Sequence, residues 1–179
     1  QVFKHILGTP QSDDVLMYEE ADEGWVVHIR RSATGRYAII DAGDHETSEN
    51  HFIDLDNHQS KSILIAKRES GLRYDADDRG DTLYILTNAD GAVDFKIVTA
   101  PVSEPSRQNW RDLVPHHPGI FILSHDIFAG HMARLERENA HPRIVIDDLL
   151  TRQSHIIAFD EEAYALGLDG GYEFDTTTI

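Results

Sequence analysis

The hydrophobic positions of this chain fall in short runs, and most of those runs alternate with polar residues. Three stand in succession in the stretch 72–99. Leu72 to Asp75 reads as a strand, with Asp77-Asp78-Arg79-Gly80-Asp81 as the turn behind it. Thr82 to Thr87 is a second strand, rich in β-branched and aromatic residues, and Asn88-Ala-Asp-Gly91 turns the chain into a third over 93–98. There Val93, Phe95 and Ile97 alternate with Asp94 and Lys96, the period of two that a half-buried strand requires. Alternation on either side of an Asp-Gly turn is a strong hairpin signal.

Both flanks repeat the plan. Before it, 2–7, 15–18, 25–29, 36–40, 48–55 and 62–66 read as strands; after it, 110–114, 120–123, 132–136, 143–147, 155–159, 164–168 and 172–176 do so. No segment longer than two turns carries a 3.6-residue period. Four joints of similar plan separate the groups: a strand, a short acidic or Pro/Gly link, then a strand beginning at Trp25, Leu72, Ile120 or Ala163. Steps of about 40 to 50 residues with four strands per unit are the signature of a β-propeller. A β-sandwich also has short strands but gives no reason for a fixed period.

The expected fold is therefore all-β, a β-propeller fragment of about four blade equivalents with four antiparallel strands each. Residues 1–179 form one partial propeller domain. Three contiguous blades span about 25–159, flanked by outer strands within 1–18 and inner strands within 163–179. Each joint carries the chain from the outermost strand of one blade to the innermost strand of the next. A four-stranded sheet cannot bury both faces alone, and stacking neighbours around an axis buries them. The chain starts at Gln1 without methionine and stops in mid-pattern at Ile179, so both ends read as cut. Open blade edges imply either closure into a small four-bladed ring or a homodimer that shares blades.

Composition narrows the function. The 179 residues carry 32 acidic and 16 basic side chains, a net charge of −16. That excludes a phosphate-backbone binder, which needs clustered Lys and Arg, so no nucleic-acid partner is expected. There is no cysteine, hence no disulfide framework and no thiolate chemistry. No apolar run approaches the roughly 18 residues of a membrane span, and no signal-peptide pattern is seen, so the expectation is a cytoplasmic protein without a membrane partner.

The chemical motifs are mostly missing. No serine sits in a Gly-x-Ser-x-Gly elbow, and there is no dinucleotide or P-loop glycine pattern, so no catalytic residue, cofactor or cofactor-binding residue is assigned. His45-Glu46-Thr-Ser-Glu49 has glutamate where a zinc-protease helix needs its second histidine, and it reads as a strand entrance. His116 and His117 are neighbours in a proline-flanked loop and point apart on an extended chain. Asp77-Asp78 and Asp147-Asp148 lack the spacing of a calcium loop and read as turn residues. No metal site follows. Trp25 and Trp110 read as packing residues at blade strands.

Several segments do carry a resemblance. Leu7-Gly-Thr-Pro-Gln-Ser-Asp-Asp-Val-Leu-Met-Tyr-Glu-Glu20, His45-Glu-Thr-Ser-Glu49 and Gly80-Asp-Thr-Leu-Tyr-Ile-Leu-Thr-Asn88 resemble the oligopeptidase B (protease II) group of the prolyl oligopeptidase family of serine peptidases. So do Trp110-Arg-Asp-Leu-Val-Pro-His116, Phe159-Asp160-Glu161 and Tyr172-Glu-Phe-Asp-Thr176. They follow the family's order over nearly the whole chain, although 45–46 depart from a more threonine- and serine-rich form. The resemblance implies a propeller that caps a C-terminal α/β-hydrolase domain with a Ser-Asp-His triad, admits only short peptides, and serves cleavage after Lys or Arg. No triad residue matches a position here, so the chain by itself is expected to be inactive. The alternative is a stand-alone propeller that binds proteins on its rim.

Overall fold

The computed structural model describes residues 1–161, 164–169 and 171–179, and its regular structure is almost entirely strand. Strands β1 (Val2–Lys4) and β2 (Val15–Tyr18) pair antiparallel as a two-stranded sheet. The first full blade is a meander of β3 (Val26–Arg31), β4 (Tyr37–Gly43), β5 (Ser48–Asp54) and β6 (Ile63–Leu64). The second contains β7 (Tyr74–Arg79), β8 (Thr82–Thr87), β9 (Lys96–Pro101) and β10 (Arg111–Val114). The third contains β11 (Ile120–Ile127), β12 (His131–Glu138), β13 (His141–Asp148) and β14 (Ser154–Ile156). In each blade consecutive strands are neighbours and antiparallel. Among the described residues there is no α-helix, only three single turns of 3-10 helix. The all-β architecture expected from the repeat is present.

Stacking the blades creates the core. Between the first and second blades, Tyr37, Ile39 and Phe52 meet Tyr74, Ile85 and Val98, with Ile65 and Leu72 of the joint closing the layer. Between the second and third, Tyr84, Leu86 and Ile97 meet Ile122, Ile127 and Met132. Val98 and Ile97 are adjacent on β9 and point to opposite faces, so one strand feeds both layers. The first strands of the blades converge: Arg30 of β3 reaches Asp75 and Asp77 of β7.

Four local expectations need correction. Asp77 and Asp78 lie inside β7; the turn is Gly80, at φ +66°, followed by Asp81. Tyr74, Ala76 and Asp78 form the buried face of that strand, so the period of two runs on through the acidic residues. The third strand of the hairpin starts at Lys96, because 92–95 make a further turn with Phe95 at φ +65° and its N–H bonded to the Ala92 carbonyl. Trp25 precedes β3, and Arg68 holds its guanidinium 3.8 Å above the indole ring.

The fourth correction concerns the tail. The expected strands 164–168 and 172–176 are not strands among the described residues, and the start expected at Ala163 lies outside those residues. A strand needs a partner edge. Among the described residues the tail instead meets the third blade through a backbone bond from the Ala129 N–H to the Phe174 carbonyl (2.8 Å), the edge of Tyr172 on Phe128, and the packing of Phe174 against the layer that holds Ile127 and Met132.

Candidate functional site

The convergence of β3, β7 and β11 gathers a partly buried cluster of charged side chains. Arg30 donates from Nε to Asp41 Oδ2 (2.9 Å), from Nη1 to Asp77 Oδ2 (2.8 Å), and from Nη2 to Asp75 Oδ1 (2.8 Å) and the Ala76 carbonyl (3.0 Å). A planar fork of five N–H donors is what such a site requires. The other oxygen of Asp77 accepts from the Ala33 N–H at 2.7 Å and the Asp78 N–H at 2.8 Å. Asp78, fully buried, accepts the Thr34 hydroxyl at 2.6 Å. The β3–β4 loop is thereby tied to the second blade.

One guanidinium faces three carboxylates, and a fourth, Asp126 of β11, stands close by. Burial pushes the carboxyls of Asp41 and Asp126 up from the usual range. Asp75 and Asp77 push both further as like charges, while Arg30 opposes them. Burial pulls against the charge of Arg30, but the three aspartates outweigh it and hold the guanidinium firmly protonated. The surroundings of Arg30 are therefore net acidic. Beside them a cavity of about 540 Å³ is lined by Arg30, Thr34, Asp77, Asp126, Phe128 and Tyr172, among others. Such a surface can attract and orient cationic groups. Among the described residues no serine or threonine hydroxyl is hydrogen-bonded to a histidine.

The residues singled out in the sequence are scattered. His45 and Glu46 sit in a turn whose backbone N–H groups, at Glu46 and Thr47, are bonded to Asp44 Oδ1. Glu49 turns inward from β5 to Arg68 (3.1 Å) and His51 (3.0 Å), so the three do not converge on an ion. His117 is exposed, whereas the Nε2 of His116 accepts from the Asp94 N–H at 3.4 Å. Asp148 is a turn residue, as expected, accepting from the N–H groups of Leu150 and Thr151. Asp147 is not: it is buried in β13 and bonded to Arg134. Trp110 packs beside the first core layer and donates from Nε1 to the Pro105 carbonyl. Among the described residues no group of three or more metal-ligating side chains is assembled. Sequence reasoning missed Arg30, Asp41, Asp77 and Asp126. The available signal was the alternation through Tyr74-Asp-Ala-Asp-Asp78, which placed Asp75 and Asp77 on one face.

Comparison with known proteins gives this geometry a context. A family model described as "Prolyl oligopeptidase, N-terminal beta-propeller domain" matches residues 1–178. Dipeptidyl aminopeptidase BI of Pseudoxanthomonas mexicana is 37% identical over 178 residues, covering 98% of this chain and 24% of the relative. Protease 2 of Moraxella lacunata is 28% identical, covering 100% of this chain and 25% of the relative. Among solved structures, oligopeptidase B from Leishmania major aligns with a TM-score of 0.82 and 28% identity, over 89% of this chain and 24% of that one. Oligopeptidase B from Trypanosoma brucei, in a closed form with covalently bound antipain, aligns at 0.81 with 30% identity over 89% of this chain. The chain spans about a quarter of the length of these relatives.

Proposed function

The chain belongs to the prolyl oligopeptidase N-terminal β-propeller family, and from that premise we propose that it serves as part of a gate over a C-terminal α/β-hydrolase domain. The gate admits short peptides to a serine nucleophile carried on that domain. One observation carries the reading: the convergent end of the blades forms a concave, carboxylate-rich surface around Arg30. A surface of that kind can steer and filter a substrate whose chemistry happens elsewhere.

The substrate class follows from charge. With a net charge of −16 and three carboxylates around one guanidinium, peptides bearing Lys or Arg are drawn in. In the longer protein, kcat/KM for an Arg-containing peptide should fall as salt is raised while kcat stays constant. Screening acts over about 8 Å at physiological ionic strength and works on capture rather than turnover. Capture indifferent to salt would leave the acidic excess a solubility feature. The isolated chain should cleave no Lys- or Arg-containing chromogenic peptide. Turnover abolished by a serine-directed inhibitor, in a preparation free of host proteases, would refute the assignment. A longer protein without peptidase activity would favour the rim-binding scaffold.

On its own the chain should also self-associate. Phe3, Val15, Leu16, Val26 and Ile29 are exposed on the two-stranded sheet and the first blade, and exposed apolar side chains in such number favour association. Light scattering should therefore find a dimer; a monodisperse 20.2 kDa species at high micromolar concentration would refute this.

A further inference from the structure

We propose that the seam between the first and second blades is locked at its convergent end, and that the seam between the second and third is the one that parts. The first two blades would then move as one body and the third swing against them. This rests on the gating reading in that it names the seam that opens.

The first seam is crossed by ionic and reciprocal bonds along its length. Arg30 spans it to Asp75 and Asp77, and Thr34 reaches Asp78. Farther along, the Ser48 hydroxyl donates to the Tyr74 carbonyl and accepts the Tyr74 N–H, both at 2.6 Å. Asn50 accepts the Ala76 N–H at 2.9 Å, while its own N–H donates to the Tyr74 hydroxyl at 2.9 Å. Parting these blades breaks all of those bonds and strands carboxylates beside one another.

The second seam is built differently. Among the described residues no ion pair joins a strand of the second blade to a strand of the third. Three of its polar links end on main-chain carbonyls: His125 Nε2 lies 3.3 Å from the Tyr84 oxygen, Arg79 Nε donates to Ala129 at 2.8 Å, and the Ile122 N–H donates to Asp94 at 3.0 Å; the Asp94 carboxylate also accepts the Gly119 N–H at 2.8 Å, in the joint before β11. The other ring nitrogen of His125 is buried without a partner. Asp126 shares a cleft with Asp77 and Arg30, where the like charges of Asp75 and Asp77 oppose its carboxylate and Arg30 attracts it. Two clefts, of about 440 and 280 Å³, open beside this seam, lined by Val114, Ile122 and Val145 in one and by Tyr84, Leu113 and Met132 in the other.

The chain has no cysteine, so single thiols can report each seam. Val98→Cys places a thiol in the first seam and Ile97→Cys one in the second, at adjacent positions of β9 that are 1% and 0% exposed. Unfolding of the strand exposes both alike; only parting of a seam separates them. Under native conditions the Ile97→Cys thiol should react with a soluble maleimide at least ~10-fold faster than the Val98→Cys thiol. Adding Asp126→Lys, which sets an ammonium against Asp75 and Asp77, should slow the Ile97→Cys thiol several-fold and leave Val98→Cys unchanged. Adding Arg30→Met should accelerate Val98→Cys selectively. Equal rates at both thiols, a faster Val98→Cys, or an Asp126→Lys effect on both alike would overturn the proposal. If a β9 variant fails to fold, Ile85→Cys and Leu86→Cys of β8 report the same two seams. Thiol labelling needs no activity, so the gating reading can fail while the seam assignment stands, or the reverse. In the longer protein, Asp126→Lys should lower kcat/KM for long peptides more than for dipeptide substrates.

Discussion

The two seams of this molecule contrast in what they spend on adhesion. The first unites thirteen buried residues, among them Tyr37, Phe52, Tyr74 and Val98, in one apolar layer. The second unites six. The difference is not a lack of polar groups near the second seam. Arg134 of the third blade, which lines both clefts there, binds Asp147 at 2.6 Å and also Glu136; Glu136 in turn binds Arg143 at 2.8 Å. Ser154 completes the set by donating to Asp147. All of these residues belong to one sheet. Charges satisfied within a blade stiffen it and offer its neighbour nothing, whereas Arg30 and Asn50 find their partners across a seam. Where a polar network closes, more than how large it is, decides which blades move together.

The contrast can be broken most forcefully in the apolar layers. Phe52→Ala should cost ~4 kcal/mol in urea denaturation, the range for a fully buried aromatic whose neighbours cannot collapse. Ile122→Ala, beside an existing cleft, should sit near the low end of its range, at ~2 kcal/mol. Equal losses would mean that the cleft does not soften the second seam. Arg134→Met should cost ~3 kcal/mol, because it leaves Asp147 buried without its cationic partner, while Glu136 keeps Arg143. That loss should be seen in the stability of the third blade, with the thiol rate at the first seam unmoved.

Two smaller changes sharpen the comparison. The β12–β13 hairpin turns on Asn139 and Ala140, both at positive φ (50° and 67°), a mirror-image turn that favours glycine at its second place. Ala140→Gly should stabilise the third blade by ~1 kcal/mol, read as a raised urea midpoint with an unchanged slope. On the first blade, bonds from Arg68 first of all, joined by the Asp22 N–H and the Tyr18 hydroxyl, hold the Glu20 carboxyl down at about 2, below an ordinary 4.5. A depressed carboxyl stabilises above its unfolded value and loses that contribution as it is protonated in the fold. Stability from this pair should be full above pH 4.5 and drain away as pH falls toward about 2. Because Arg68 is 38% exposed, solvent screening keeps the contribution under ~1 kcal/mol. Glu20→Gln should flatten that limb of the pH–stability curve; an unchanged limb would place the titration elsewhere.

Local pattern carried the blades but not the site. Alternation and turn residues located β8 and β12, because a period of two and a glycine or asparagine turn are properties of a few consecutive residues. Three-strand convergence is not such a property. Arg30 looked like one more charge past the end of a strand, and nothing within ten residues announces Asp75 or Asp77 as its partners. Asp77-Asp78 had the composition of a turn, and only the buried face shared by Tyr74, Ala76 and Asp78 shows why the strand continues. The tail failed for the opposite reason. Its residues alternate as a strand should, but pairing depends on a neighbour, and Tyr172 and Phe174 meet the third blade without forming a ladder.

Native-state hydrogen exchange in a shallow denaturant gradient tests the contrast between the seams most directly. Two cooperative groups of amides are expected: those of β11–β13 opening at the lower free energy, and those of β4, β5, β8 and β9 opening together at the higher one. A single group containing all three blades, or a first blade that opens before the third, would contradict it.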